Sequence, residues 1–164
     1  MYFRLMGKLN ARRNNLTEQS EKGFTLIELL VVVIIIGVLA AIAIPIYIGV
    51  QNGAKESSVK SDLTNVKTAV VAAYTRDASA SLPTTLTPGT TIGSGTSATT
   101  LGALGATATV DYSVGSGSAP AFAGTSSWTT FCIQATSPDT SNTFHVSSSK
   151  GVANGACPTD TTTW

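Results

Sequence analysis

Charged side chains are nearly absent from the second half of the chain. From Ala78 to the C-terminus the only ones are Asp111, Asp139, Lys150 and Asp160. Proteins that bind nucleic acid neutralise its phosphates with lysines and arginines clustered on one face. Because this half has no basic stripe, the sequence predicts no direct nucleic-acid site.

Histidine is also scarce, which bears on catalysis. His145 is the single histidine, and it falls on the polar side of a predicted strand. No nucleophile, general base and orienting group can be assembled around it. A calcium site using Asp139 and Asp160 is an alternative to plain solvated loop acids, but the chain has no Asp-x-Asp-x-Asp loop. We therefore expect no enzymatic activity, no cofactor and no metal.

The N-terminal segment differs from the rest in charge. Residues 1–23 are polar and contain five basic and two acidic side chains. A basic segment that precedes an apolar span predicts a cytoplasmic N-terminus, with the rest of the chain outside. We interpret residues 1–23 as a leader that is removed, outside the fold.

An apolar stretch follows, at residues 24–50, and Glu28 is its only charge. The part after Glu28 has about 22 residues and as a helix covers roughly 33 Å, enough to cross a hydrocarbon core. Gly37 and Pro45 interrupt it. Because proline lacks an amide proton and crowds the carbonyl one turn earlier, we expect a kink or local unwinding there.

Residues 51–77 have a different, amphipathic pattern. Apolar residues recur every three or four positions, which places them on one helical face. They are Val59, Leu63, Val66, Val70 and Tyr74. The polar remainder includes Lys55, Lys60, Asp62, Lys67, Arg76 and Asp77. The sequence therefore predicts one helix from about Thr25 to Asp77, whose second half packs on a globular domain.

The remaining chain predicts a loop and a small sheet. Residues 78–105 are rich in Ser, Thr and Gly and form a long connection, which carries either O-linked sugars within 84–100 or none. Alternating patterns predict strands at 109–114, 130–135 and 143–147, with turn residues at 115–124 and 137–142. The predicted fold is α+β: a long N-terminal helix packed on a small antiparallel sheet.

Cysteine occurs twice, as Cys132 and Cys157 in the C-terminal region 106–164. An even number of cysteines in an oxidising compartment favours a disulfide, and two buried thiols are the alternative. In the chain-entropy model, closing a loop of this length stabilises the fold by roughly 3 to 4 kcal/mol.

The run Lys-Gly-Phe-Thr-Leu-Ile-Glu at residues 22–28 resembles the processing signal of type IV prepilins. The resemblance extends to Gly37 and Pro45. Beyond residue 77 it is limited to the architecture: a long helix, a variable loop, a sheet and two C-terminal cysteines. It implies cleavage between Gly23 and Phe24 and N-methylation of Phe24. It further implies that Phe24, Thr25 and Glu28 dock a neighbouring subunit, and that the helix unwinds between Gly37 and Pro45 in filaments.

The resemblance also implies partners. They are identical subunits in a helical filament, a prepilin peptidase and methyltransferase, an assembly platform and a motor ATPase. The precursor would cross the cytoplasmic membrane once, with its N-terminus inside, and the mature chain would be extracellular in a type IV pilus.

Two alternatives remain at this point. One is a major pseudopilin of a type II secretion system. The other is an adhesin, which is either released by ordinary signal cleavage after Ala41-Ile42-Ala43 or anchored in the membrane.

Overall fold

The structure is a computed structural model, and it describes residues 23–93, 98–113, 115–124 and 126–160. The predicted leader, apart from Gly23, lies outside the described residues. The chain divides into two compact units, of which the first ends at Pro45 and the second begins at Ile46.

Helix α1 comprises Leu26–Arg76 and confirms the predicted long helix. It begins after Thr25, whose backbone carbonyl accepts a hydrogen bond from the amide of Leu29. It ends before Asp77, which accepts hydrogen bonds from the hydroxyl and the amide of Ser79. These bonds lower the pKa of Asp77, with the hydroxyl contributing most. Asp77 therefore favours a turn over another helical residue.

The helix is continuous through Gly37 and Pro45. The loss of one hydrogen bond at Pro45 does not interrupt a helix that is supported on both sides by long runs of bonded turns. The unwinding that the resemblance implies concerns the filament, and it stays a prediction.

The second part of α1 shares one hydrophobic core with the sheet domain. Four of the five residues on the predicted apolar face are fully buried: Val59, Leu63, Val66 and Val70. They belong to the same cluster as Phe131, Ile133, Phe144 and Val146. Tyr74, the fifth, is half-buried and stacks on Trp128 with ring centroids 6.0 Å apart.

The main sheet is a four-stranded antiparallel meander. It consists of β3 (Ser118–Phe122), β4 (Cys132–Thr136), β5 (Thr143–Ser147) and β6 (Ala153–Asn154), paired in that order. Pairing of Ile133 with Val146 and of Ala135 with Phe144 places these apolar side chains in the core. The predictions of strands near 130–135 and 143–147 are thus confirmed.

The prediction of a strand at 109–114 is wrong, as is that of a turn throughout 115–124. No strand is assigned in the described residues 109–113, because backbone and side chains there bind the Asp62 carboxylate. The strand lies later, at β3, which contains Pro120. Proline is tolerated there because β3 pairs with one strand only and has a register shift between Ser118 and Ala121.

The predicted loop at 78–105 contains some regular structure. β1 (Thr91–Ile92) pairs antiparallel with β2 (Thr99–Thr100), and a 3-10 turn follows at Gly102–Leu104. Leu86, Ile92 and Leu101 are buried in the core. Three apolar side chains thus attach the segment to the domain.

The predicted disulfide between Cys132 and Cys157 is present, with the two Cα atoms 6.0 Å apart. It connects β4 to the segment after β6. The amide of Cys157 also donates to the side-chain oxygen of Gln134, at 3.1 Å. The C-terminal segment is therefore held to β4 by one covalent bond and one hydrogen bond.

Candidate assembly site

Residues 24–50 present an uncovered apolar surface. Every side chain in this stretch is exposed except that of Ala40, which is intermediate. Phe24 is 90% exposed and Leu26 is 83% exposed. Among the described residues, α1 is the one helix long and apolar enough to cross a membrane. An apolar surface of this size needs lipid or other protein to cover it.

Thr25 and Glu28 form the polar end of this surface. The Glu28 carboxylate accepts hydrogen bonds from the amide of Thr25 at 2.8 Å and from its hydroxyl at 2.7 Å. The amide of Glu28 donates to the Thr25 hydroxyl at 3.3 Å. This reciprocal arrangement is a capping box, and it satisfies backbone donors that a helix N-terminus leaves without partners.

All of the Thr25 bonds to the Glu28 carboxylate fall on a single oxygen, Oε2. The other oxygen, Oε1, has no hydrogen-bond partner among the described residues. The resemblance implies docking by Thr25 and Glu28. The cap was not predicted, although Thr-x-x-Glu before an apolar run is its signature. The cap explains why the helix begins at Leu26.

Gly23 and Phe24 lie outside the helix. Both are exposed, and a Cβ added at Gly23 would meet nothing within 4 Å. The peptide bond between them thus lies in non-helical chain before the cap. Of the sequence-predicted site residues, the structure brings Thr25 and Glu28 together beside Phe24, whereas Gly37 and Pro45 lie farther along the helix and the cysteines lie in the sheet domain.

Asp62 is a buried carboxylate of helix α1 whose role was not predicted from the sequence. It was counted among the polar residues of α1, yet it is 0% exposed. Its carboxylate accepts hydrogen bonds from the amide of Thr109 at 2.9 Å and from the hydroxyls of Thr107, Thr109 and Tyr112 at 2.9, 3.0 and 3.1 Å. The carboxylate is thus stabilised by hydrogen bonds from neutral donors, all of which lie in the segment 107–112.

This Asp62 cluster extends to its neighbours. The side-chain amide of Asn65 donates to the Thr107 hydroxyl at 2.8 Å, so the hydroxyl both accepts and donates. Burial raises the pKa of the Tyr112 phenol well above its usual value, and the charge of Asp62 raises it further. One signal in the sequence could have indicated that Asp62 is buried. It lies three residues after Val59 and next to Leu63, which places it at the edge of the apolar face of the helix.

Polar side chains of α1 also bind the turn between β4 and β5. Lys55 forms an ion pair with Asp139 at 2.7 Å, and Glu56 accepts a hydrogen bond from Asn142 at 2.6 Å. Asp139 is therefore engaged by a lysine. In the described part of the chain, no group of three or more His, Cys, Asp and Glu residues is arranged to hold a metal ion.

His145 lies within hydrogen-bond distance of a backbone carbonyl. Its Nδ1 is 2.9 Å from the carbonyl oxygen of Gly155, so Nδ1 donates the proton. This bond joins β5 to the chain just after β6. The contact gives the histidine a structural role at the sheet edge.

Comparison with known families finds one match at the N-terminus. Residues 19–44 match the prokaryotic N-terminal methylation motif, which includes Gly23, Phe24 and Glu28. The N-terminal region is therefore similar to that of proteins that carry this motif. The long helix and the small antiparallel sheet together give an α+β arrangement like that of type IV pilins.

Known proteins with similar sequence include type IV pilins and one secretion-system protein. The type IV major pilin protein PilA of Myxococcus xanthus is 56% identical over 48 residues, which are 29% of this chain and 22% of that protein. The type IV major alpha-pilin of Moraxella bovis is 50% identical over 54 residues, or 33% of this chain and 34% of that one. The type II secretion system core protein G of Klebsiella michiganensis is 38% identical over 52 residues, or 32% and 37%.

The matches thus span between 22% and 37% of the length of these relatives. None of the three is named as an enzyme. No solved structure matches the chain.

Proposed function

We propose that the chain is the precursor of a structural subunit that polymerises, without covalent bonds, into an extracellular type IV pilus. The exposure of the whole apolar surface at 24–50, with a single carboxylate at its N-terminal end, carries this proposal. Such a surface is unstable in water. Lipid covers it before assembly, and the helices of identical subunits cover it in the filament.

Glu28 gives the assembly its specificity. A carboxylate at the centre of a bilayer costs roughly 2.5 to 3.5 kcal/mol on insertion scales, and this cost falls when a cation neutralises it. Cleavage after Gly23 would create a new amine on Phe24. Because Oε1 of Glu28 accepts no hydrogen bond from the part of the chain that the structure describes, it is available to the Phe24 amine of a neighbouring subunit. Only a neighbour in the correct register places its amine there.

Processing requires access to the bond between Gly23 and Phe24. Both residues are exposed and non-helical, which suits a peptidase that binds extended chain, and a methyltransferase would then modify the Phe24 amine. An assembly platform and a motor ATPase would move subunits from the cytoplasmic membrane into the filament. The precursor would have its N-terminus in the cytoplasm and its sheet domain outside.

Gly37 and Pro45 would allow the helix to extend after docking. Glycine and proline are the two residues that stabilise a helix least, so the segment between them is the part of α1 that extends most easily. Local unwinding there would lengthen the subunit without separating its docked N-terminus from its neighbours.

A second candidate is the major pseudopilin of a type II secretion system, favoured by the similarity to the Klebsiella michiganensis core protein. The disulfide and the long Ser/Thr-rich segment favour the pilus. A fall in the thermal midpoint on calcium chelation would instead favour the pseudopilin.

The test is to delete the gene, image the cells for filaments, and sequence the mature N-terminus of the complemented protein. We expect filaments only with the complemented chain, and a mature N-terminus at methylated Phe24. A mature chain that begins at Ile44 would indicate ordinary signal cleavage and overturn the proposal.

A further inference from the structure

Tyr47 follows directly on the apolar run of α1. Every side chain from 29 to 46 is apolar, and these roughly 18 residues cover about 27 Å as a helix. The hydrocarbon core of a bilayer is about 30 Å thick. Tyr47 is the first residue after Glu28 whose side chain has a polar atom. Polar side-chain atoms therefore return after a length of helix that matches one hydrocarbon core.

The Tyr47 side chain is suited to the surface of a membrane. It is 63% exposed, and its hydroxyl accepts a hydrogen bond from Nε2 of Gln51 at 2.6 Å. Gln51 lies one turn farther along the helix, so the hydroxyl is paired with a polar group on the side of the sheet domain. Tyrosine and tryptophan are enriched at membrane–water interfaces because each has an apolar ring with a polar group at one end.

The sheet domain limits how deeply α1 can enter the membrane. Lys55, two turns after Tyr47, forms an ion pair with Asp139 of the domain. The helix rises about 12 Å between Tyr47 and Lys55. The headgroup layer adds roughly 5 to 8 Å on each side of the hydrocarbon core. Residues 48–54 are therefore long enough to cross this layer and keep the domain in water.

Charge does not fix the outer boundary more tightly than this. No charged residue lies between Glu28 and Lys55. The apolar residues Ile48 and Val50 follow Tyr47, so hydrophobicity alone would let the helix enter by about one further turn. A side chain that prefers the interface is needed to hold one depth, and Tyr47 with its partner Gln51 supplies it.

We propose that Tyr47 sets the depth of the unassembled subunit by placing its ring in the outer headgroup layer of a phospholipid bilayer. The ring packs on the upper part of the acyl chains, and the hydroxyl and the Gln51 amide bond water and headgroup oxygens. The inference rests on the proposed function for the membrane-inserted state that precedes assembly.

The experiment measures depth by tryptophan quenching in vesicles of phosphatidylethanolamine and phosphatidylglycerol. The full chain is reconstituted at a low protein-to-lipid ratio, so that lipid and not other copies surrounds the helix. Ile42→Trp places a reporter inside the apolar run. Phospholipids brominated near the headgroup quench shallow tryptophans, and those brominated near the chain end quench deep ones. The chain without the reporter gives the signal of Trp128 and Trp164, which is subtracted.

The test compares this reporter in three backgrounds. Tyr47→Leu extends the apolar run to Val50, so its centre shifts by about two residues and the reporter moves about 3 Å toward the bilayer centre. We expect the ratio of deep to shallow quenching to rise at least about 1.5-fold. The control Ile48→Leu, which exchanges one apolar side chain for another, should leave the ratio unchanged.

An unchanged ratio in Tyr47→Leu, or an equal rise in Ile48→Leu, would overturn the inference while leaving the proposed function intact. A reporter that neither brominated lipid quenches would show that the chain does not insert. That result would contradict the proposed function together with this inference.

Discussion

The two halves of helix α1 make opposite use of apolar side chains. In the first half the apolar residues surround the helix and all but Ala40 are exposed, whereas in the second they form one stripe that is buried against the sheet domain. One carboxylate from each half, Glu28 and Asp62, shows the same difference in exposure. Glu28 is exposed and, among the described residues, bonds within its own helix turn, whereas Asp62 is buried and bonds to a distant segment.

The difference indicates separate roles along one continuous helix. The second half completes its contacts within the chain, so changes there should alter the free energy of unfolding of the domain. The first half leaves its contacts unmade, so changes there should alter assembly. Four substitution experiments test this separation.

The largest effect on assembly is expected from Glu28. Glu28→Gln keeps a side-chain oxygen that can accept the Thr25 hydrogen bonds but removes the charge that would attract a neighbouring amine. We expect normal insertion and cleavage, with sheared filament reduced at least about tenfold, equivalent to about 1.4 kcal/mol. Immunoblots of filament and membrane fractions measure the ratio.

Asp139→Asn is the matched control for Glu28→Gln, because it removes an exposed carboxylate from the sheet domain. Its filament yield should equal that of the wild type. Abundant filaments from Glu28→Gln, with failure of Glu28→Val alone, would mean that the helix cap and not the charge governs docking.

The disulfide should give the largest effect on folding. Replacing both Cys132 and Cys157 with serine removes the cross-link between β4 and the C-terminal segment. The free energy of unfolding should fall by roughly 3 kcal/mol. Denaturant unfolding in detergent, followed by tryptophan fluorescence, measures it, and membrane insertion should not change. An equal midpoint for the wild type with and without reductant would contradict this expectation.

Asp62→Asn should destabilise the domain by about 2 to 3 kcal/mol. The substitution weakens the charge-assisted hydrogen bonds, and it places a side-chain NH2 group, which is itself a donor, opposite the donors of residues 107–112. The neighbouring exposed Ser61→Asn is the control and should change the free energy of unfolding by less than about 0.5 kcal/mol. Equal denaturation midpoints for the two variants would show that the buried carboxylate does not hold segment 107–112.

The smallest effect is a pH dependence at Tyr112. Because the folded protein raises the pKa of the phenol, the unfolded chain loses that proton first, near its ordinary pKa of about 10. The contribution of Tyr112 to the free energy of unfolding is constant below about pH 10 and falls as the pH rises above it. After allowance for solvent screening of the half-buried ring, the free energy of unfolding should fall by no more than about 1 kcal/mol at pH 11.

Tyr112→Phe removes this titration and provides the comparison. Denaturation of both proteins between pH 8 and pH 11 should show the additional fall only in the wild type. Parallel curves over the whole range would contradict the assignment.

Some parts of the structure were predictable because they depend on local pattern. The spacing of Val59, Leu63, Val66 and Val70 predicted the buried face of α1, and the alternation around Ile133 and Val146 predicted β4 and β5. These periodicities follow from the backbone geometry of helices and strands. The motif at residues 22–28 likewise predicted the similarity to type IV pilins, since its residues are adjacent in sequence.

The errors came from contacts that are distant in sequence. Residues 109–113 alternate as a strand does, but Asp62 recruits their backbone and hydroxyls, and pairing moves instead to a proline-containing edge strand at Ser118–Phe122. Nothing local to either segment reveals this, because the competing partner lies 47 residues earlier.

The sequence by itself determined the long helix, the division of α1 into two halves, the positions of two strands and the N-terminal motif. Each of these depends on periodicity or on neighbouring residues. Only the tertiary structure decided that Asp62 is a buried carboxylate and that β3 forms in place of the strand expected at 109–114. It also decided that Leu86 attaches the segment 78–105 to the core. The physical reason is that burial and hydrogen-bond partners depend on which distant segments come together.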